Sequence, residues 1–281
     1  MPDNHASVPL RELNNGAFMP SIGLGTWPLD DAQAGAAVVH GLEAGYRLID
    51  TAENYNNEIG IGEGIGSTSV PREELFITSK FNAKWHSVDG VRDAWEHSCT
   101  RLGVEYLDLF LIHWPNPAQG RYVEAWEGLV KLLKAGRVRA IGTSNFTTEQ
   151  LQELIHATGV VPDVNQIQHS PYWIDDERLA FHAGHGIVTE AWGPLGRGKH
   201  NLLGAEPVVA AAHAHKVTPA QAVLRWHVQR GVVPIPKSAD PERMAQNLDV
   251  FSFDLTPEQV LAIDALDGTA GEPVSPMEFG H

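Results

Sequence analysis

The chain has 281 residues, 43% hydrophobic and 20% charged, with a formal net charge of −15 at neutral pH. The first two fractions lie near the globular average, which excludes a largely disordered chain, and the acidic balance argues against nucleic acid, whose phosphates require clustered Lys and Arg. Its single cysteine, Cys99, excludes an intrachain disulfide and suits a reducing compartment.

The opening MPDNHASVPL lacks the basic start and apolar run of a signal peptide, and no apolar run approaches the ~20 residues that span a bilayer. A cytoplasmic protein with no membrane partner is expected. Residues 1–7 are expected to be a disordered tail. Apolar residues at 10–13 and 18–20 flank Asn14-Asn15-Gly16 and predict a hairpin at the bottom of the fold.

Beyond it, short apolar β-rich runs alternate with helical stretches. Strands are predicted at 21–25, 47–50, 75–80, 107–113, 138–144, 164–167, 186–191 and 232–236. Tyr122, Trp126, Leu129, Val130 and Leu133 share one face at helical spacing, which predicts a helix over 122–135. Thr218-Pro219-Ala220-Gln221 and Thr256-Pro257-Glu258-Gln259 each read as a capped helix start, with Thr at the cap and Pro at the first helical position. Alternation without a linker-like break predicts one domain over 1–281, a (β/α)₈ TIM barrel; an open doubly wound sheet also fits the pattern.

Two glycine-rich stretches invite a phosphate-loop reading and fail it. Gly60-Ile61-Gly62-Glu63-Gly64-Ile65-Gly66 lacks the dinucleotide-binding spacing and follows no strand, so it reads as a closely packed helix. In GPLGRGK, residues 193–199, His200 stands where a P-loop needs Ser or Thr for magnesium. His182 with His185, and His213 with His215, lack a third and fourth ligand and read as surface-helix residues. No metal is expected.

Barrel enzymes work from the C-terminal ends of their strands. Those ends here carry Asp50, Lys80, His113, Ser144, Asn145, Gln166, Trp192 and Lys237. Asp240-Pro241 reads as a helix start that puts Arg243 in the first turn. A cation there opposes the helix dipole, and becomes sensible if an anion sits nearby with Lys237 and Ser238.

Three segments resemble the signatures of the aldo-keto reductases. Gly45-Tyr46-Arg47-Leu48-Ile49-Asp50-Thr51-Ala52, followed by Tyr55 and Asn57-Glu58, is similar to the first. Lys134-Ala135-Gly136-Arg137-Val138-Arg139-Ala140-Ile141-Gly142-Thr143-Ser144-Asn145-Phe146 is similar to the second. Ile235-Pro236-Lys237-Ser238, with Arg243 and Gln246-Asn247, is similar to the third. Motif order and a short tail look like the bacterial diketogluconate-reductase branch of that family.

The resemblance implies a cytoplasmic oxidoreductase acting on CH–OH donors, which reduces aldehydes, ketones or dicarbonyls with NADPH, and with NADH more weakly. It assigns Tyr55 as general acid, Lys80 as the cation that lowers the tyrosine pKa, Asp50 as the anchor of that ammonium, and His113 as the group that orients the carbonyl. Cofactor contacts are expected from Gly25, Thr26, Asp50, Ser144, Asn145, Gln166, Trp192, Gly193, Pro194, Leu195, Gly196, Lys237, Ser238, Arg243, Gln246 and Asn247. Trp192 would underlie the nicotinamide, and Arg243 with its neighbours would hold the 2′-phosphate. Trp27, Trp85, His113 and Trp114 are expected to line the substrate pocket, and the loop at 268–281 to fold near it through Met277 and Phe279.

The resemblance also departs from the pattern: Gln168 replaces an acid, His169-Ser170 is shifted, and Thr143 replaces an aliphatic residue. The partner is expected to be a small carbonyl compound and the protein a monomer. Two other readings stay open, the second of which would leave Tyr55 and the Arg243 site unexplained. One is a redox-sensing subunit that binds nucleotide with little turnover, and the other is a lyase using Lys80 as a Schiff base.

Overall fold

The computed structural model describes residues 8–198 and 200–280; the expected tail at 1–7 and the last residues of the 193–199 and 268–281 stretches lie outside the described residues. Strands β1 (Leu10–Glu12) and β2 (Phe18–Pro20) form the expected antiparallel hairpin. Eight strands then pair in parallel and in chain order: β3 (Leu24–Gly25), β4 (Leu48–Asp50), β5 (Phe76–Phe81), β6 (Leu107–Ile112), β7 (Val138–Ser144), β8 (Val164–Gln168), β9 (Val188–Trp192) and β10 (Val233–Ile235). A parallel bridge between Gly25 and Lys237, with Gly25 N donating to Pro236 O at 3.0 Å, brings the last strand to the first. The sheet is a nearly closed TIM barrel, not an open doubly wound sheet.

The described α-helices are α1 (Asp31–Ala44), α2 (Glu58–Gly66), α3 (Val88–Leu102), α4 (Tyr122–Lys134), α5 (Thr148–Thr158), α6 (Asp176–His185), α7 (Glu206–His215), α8 (Pro219–Gln229), α9 (Pro241–Leu248) and α10 (Pro257–Asp264), with short 3₁₀ turns between elements. The caps read from sequence form: Thr218 accepts from Gln221 N and Thr256 from Gln259 N, and each glutamine reaches back to its threonine. The glycine stretch is a helix, α2, because small residues are needed where it crosses α1. A Cβ on Gly60 would lie 1.9 Å from Asp31 O.

Strand alternation divides the side chains into two layers. Leu48, Phe76, Leu109, Leu111, Val164, Val188, Val233 and Ile235 fill the barrel, and Leu13 and Met19 of the hairpin join them. The hairpin is tied to the bottom rim, where Asn15 N and Nδ2 donate to Asp163 and Asn15 Nδ2 also reaches Arg139 O. Ile49, Ile77, Phe110, Ile112 and Ile141 face outward against Val38, Leu42, Trp95, Trp126 and Leu154.

The same alternation carries upward. Asp50 shares a face with Leu48, Lys80 with Phe76, Gln166 with Val164 and Glu190 with Val188, so these four polar side chains crown the apolar plug.

One histidine departs from the surface reading. His182 is buried, with its ring nitrogens 3.0 Å from Asn165 Nδ2 and 2.8 Å from Thr189 Oγ1. The polar edges of β8 and β9 offer it partners that the sequence of α6 alone does not reveal. No helix among the described residues is long and apolar enough to cross a membrane.

Candidate active site

Asp50 ends β4 and Lys80 lies in β5, two neighbouring strands, and their side chains meet inside the barrel. Lys80 Nζ donates to Asp50 Oδ1 at 2.6 Å and to Thr51 O at 2.9 Å, with both side chains buried. Burial alone pulls an ammonium down, but Asp50 and its hydrogen bond outweigh it and hold Lys80 above its ordinary value. Lys80 therefore carries its charge while buried from solvent.

Tyr55 sits in the single 3₁₀ turn Glu53–Tyr55 that follows β4. Its hydroxyl is 3.5 Å from Lys80 Nζ, which also lies 5.1 Å from the ring centre. The turn is clamped on both sides. Asn57, fully buried, accepts from Thr51 Oγ1 and donates to Thr26 O and Leu29 O, while Glu53 accepts from Asn82 N and from the Trp85 indole. His113, which follows β6, presents its ring edge-on to Tyr55 at 5.7 Å. The tetrad named from sequence thus converges on one end of the barrel.

Lys80 acts on Tyr55 in the expected direction, but burial outweighs it. Burial pushes the Tyr55 hydroxyl upward, Lys80 pulls it back, Asp50 pushes it up again, and the net direction is upward rather than down. The field of Lys80 at Tyr55, itself opposed by Asp50, only partly offsets desolvation. The tyrosine holds its proton at neutral pH.

A ring of amide and hydroxyl groups lines the other side of the mouth. Ser144 Oγ donates to Gln166 O at 3.0 Å, Asn145 Nδ2 to His113 O at 3.1 Å, and Trp192 Nε1 to Asn145 Oδ1 at 2.8 Å. Thr26 Oγ1 donates to Asp50 O, and Gly25 makes the bridge that brings the barrel's edges together. Trp114 is buried and approaches Trp192 edge-on at 6.5 Å, while Phe279 of the tail packs on Trp114 at 4.7 Å. The tail is further held by Gln168 Oε1, which accepts from Val274 N at 2.7 Å, so the departure at Gln168 has a structural use. Trp27 is exposed at the rim. Trp85 turns its ring toward His97, at 5.4 Å, besides bonding Glu53.

Gly193, Pro194, Leu195 and Gly196 leave β9 in a tight turn, with Gly196 N donating to Gly193 O. Around α9 the cations are exposed: Lys237 is open to solvent, and the Arg243 side chain is 74% exposed, 3.6 Å from Asp240. Asp240 caps the helix by accepting from Arg243 N, and buried Ser238 exchanges hydrogen bonds with Asp240. An anion here would meet the side chains rather than the helix N–H groups. Gln246 reaches Glu242, and Asn247 is buried beside Tyr46.

Two residues of this region were absent from the sequence reading. Arg197 lies over the Trp27 ring at 4.4 Å and 5.7 Å from Trp192; a basic residue in a glycine loop gave no signal of its own. Glu190 is completely buried, 3.0 Å from Gln166 Nε2. Burial, with Asp50 nearby, pushes its carboxyl up to about 8. An acid two residues before a strand end carries no sequence signal that marks it as a member of the site.

The Aldo/keto reductase family model matches residues 21–268. The chain is 46% identical to 2,5-diketo-D-gluconic acid reductase B of Corynebacterium sp. over 93% of this chain and 94% of that protein. It is 44% identical to methylglyoxal reductase DkgA of Yersinia pestis over 97% and 98% of the two chains. Among solved structures it is similar to a Gox0644 mutant in complex with NADPH, with a TM-score of 0.93, 41% identity, and 98% and 100% of the two chains covered.

Proposed function

Because the chain belongs to the aldo/keto reductase family, we propose that it reduces a small carbonyl compound with NADPH, with Tyr55 as the proton donor. When bound, the reduced nicotinamide supplies hydride to the carbonyl carbon. The residues present fit that cofactor. Ser144, Asn145 and Gln166 offer amide-matching groups, Trp192 offers a ring beside them, and Lys237 with Arg243 offers exposed cations for a 2′-phosphate.

The observation that carries the reading is the chain Asp50–Lys80–Tyr55, with 2.6 and 3.5 Å between successive polar atoms. Negative charge develops on the carbonyl oxygen as its carbon is reduced, and a protonated Tyr55 meets it with an acidic hydrogen. Lys80 stabilises the phenolate left behind, and Asp50 keeps Lys80 in place and charged. His113, beside Tyr55, orients the same oxygen. Trp114 and the tail residue Phe279 narrow the mouth and exclude water, which strengthens each of these interactions.

The aromatic walls favour compact carbonyl substrates, and the names of the two relatives, a diketo acid reductase and a methylglyoxal reductase, point the same way. A monomeric cytoplasmic enzyme is consistent with this chemistry. The test is NADPH oxidation with a panel of aldehydes, ketones, dicarbonyls and keto-sugars. Turnover of at least one class supports the reading, and NADPH binding without turnover of any would favour a sensing subunit instead.

A further inference from the structure

Gln166 stands between two carboxyl groups. Its Nε2 is 2.8 Å from Asp50 Oδ2 and 3.0 Å from Glu190 Oε2. A primary carboxamide nitrogen has two hydrogens and no acceptor, so these two contacts use all that it has. Turned over, the group would set its carbonyl oxygen against Asp50, acceptor against acceptor, among side chains that are all buried.

We propose that Glu190 is a positioning residue: together with Asp50 it takes both N–H bonds of Gln166, leaving that carboxamide only its carbonyl to offer the cofactor. The matching group is a donor, the NH₂ of the nicotinamide carboxamide. This rests on the reading that a nicotinamide binds at this mouth.

Glu190 reaches the site by strand register alone. It sits on the inner face of β9, opposite Gln166 on β8. Its one side-chain hydrogen bond among the described residues runs to Gln166, and its other carboxyl oxygen has none. The charged groups that face it are Asp50 on β4 and Lys80 on β5. Asp50 Oδ2 still accepts one Gln166 hydrogen while Oδ1 holds Lys80, so without Glu190 the second hydrogen loses its partner and the amide, pinned at a single point, can swing its carbonyl away from the cofactor. Burial and the nearby Asp50 push the Glu190 carboxyl upward, and a carboxyl oxygen accepts from Gln166 in either protonation state. An amide carbonyl placed there by substitution accepts equally well.

The experiment measures nucleotide binding at pH 7 by quenching of tryptophan fluorescence, comparing NADPH with its reduced 3-acetylpyridine analogue, which keeps the carbonyl and replaces NH₂ with methyl. Wild type is expected to prefer NADPH by about tenfold, the worth of one well-made hydrogen bond. In Glu190→Leu the preference is expected to fall to about twofold or less, and Glu190→Gln is expected to restore it. Glu190→Met serves as a second apolar variant if the leucine form does not fold. A wild-type-like preference in the apolar variant overturns the proposal, as does an equal loss in Glu190→Gln. If wild type binds neither nucleotide, the reductase reading itself fails, a result distinct from normal NADPH binding with unchanged discrimination in the variants.

Discussion

Lys80 Nζ lies 2.6 Å from Asp50 Oδ1, and the two side chains are 0% and 5% exposed. Removing one member of such a pair strands a charge in the barrel, which costs about 3–5 kcal/mol. Lys80→Met is therefore expected to lower the urea midpoint strongly, and Lys80→Met/Asp50→Asn to recover part of the loss. A single variant as stable as wild type would mean that the pair contributes nothing to folding.

Arg243 and Lys237 are the exposed cations near the start of α9. Arg243→Ala is expected to weaken NADPH binding by roughly 10- to 100-fold, the worth of one or two charge-assisted hydrogen bonds. NADH, without the 2′-phosphate, is expected to bind the variant as it binds wild type. Titrations with both nucleotides decide the point, and equal losses would remove Arg243 from the 2′-phosphate site.

At the crossing of α1 and α2 the constraint is steric. A methyl on Gly60 would sit 1.9 Å from the Asp31 carbonyl oxygen, and backbone on both sides leaves nothing flexible to yield. Gly60→Ala is expected to cost at least about 1–3 kcal/mol by overpacking, although alanine is the better helix former. Gly66, with open space around it, is the control: Gly66→Ala is expected to be neutral or stabilising in the same thermal melt.

His182 supplies a pH dependence whose sign follows from its burial. Desolvation pulls its folded value down to about 3, from 6.5. Between those values the unfolded chain binds the extra proton, so stability falls as pH drops below about 6.5. His182→Gln has no such proton to take up. Its deficit relative to wild type, read from denaturation midpoints, is expected to shrink by about 2 kcal/mol between about pH 7.5 and about pH 5. A constant or widening gap would mean that His182 is protonated in the folded protein.

Much of this architecture was legible in the chain because strand ends and helix caps are local signals. Asp50, Lys80, Gln166 and Trp192 could be placed at strand ends from the apolar runs before them, and Thr218 and Thr256 announced their helices. What escaped depends on contacts between distant segments. The first barrel strand narrows to Leu24–Gly25, although Gly23 N still donates to Pro234 O at 3.1 Å. Nothing near His182 in sequence foretold Asn165 and Thr189. Glu190 looked like any strand residue until closure of the barrel set it beside Gln166. The upward direction at Tyr55 likewise required knowing how deeply the fold buries its hydroxyl.

The role of Tyr55 is tested most directly by Tyr55→Phe, which removes the hydroxyl 3.5 Å from Lys80 Nζ and keeps the ring. Single-turnover rates with a reactive aldehyde are to be measured beside NADPH affinity on the same preparation. The rate is expected to fall by about 10²–10⁴-fold, the usual contribution of a positioned general acid, while NADPH affinity stays near that of wild type. A variant that keeps the wild-type rate would contradict the assignment and move the proton donor to another residue of the mouth.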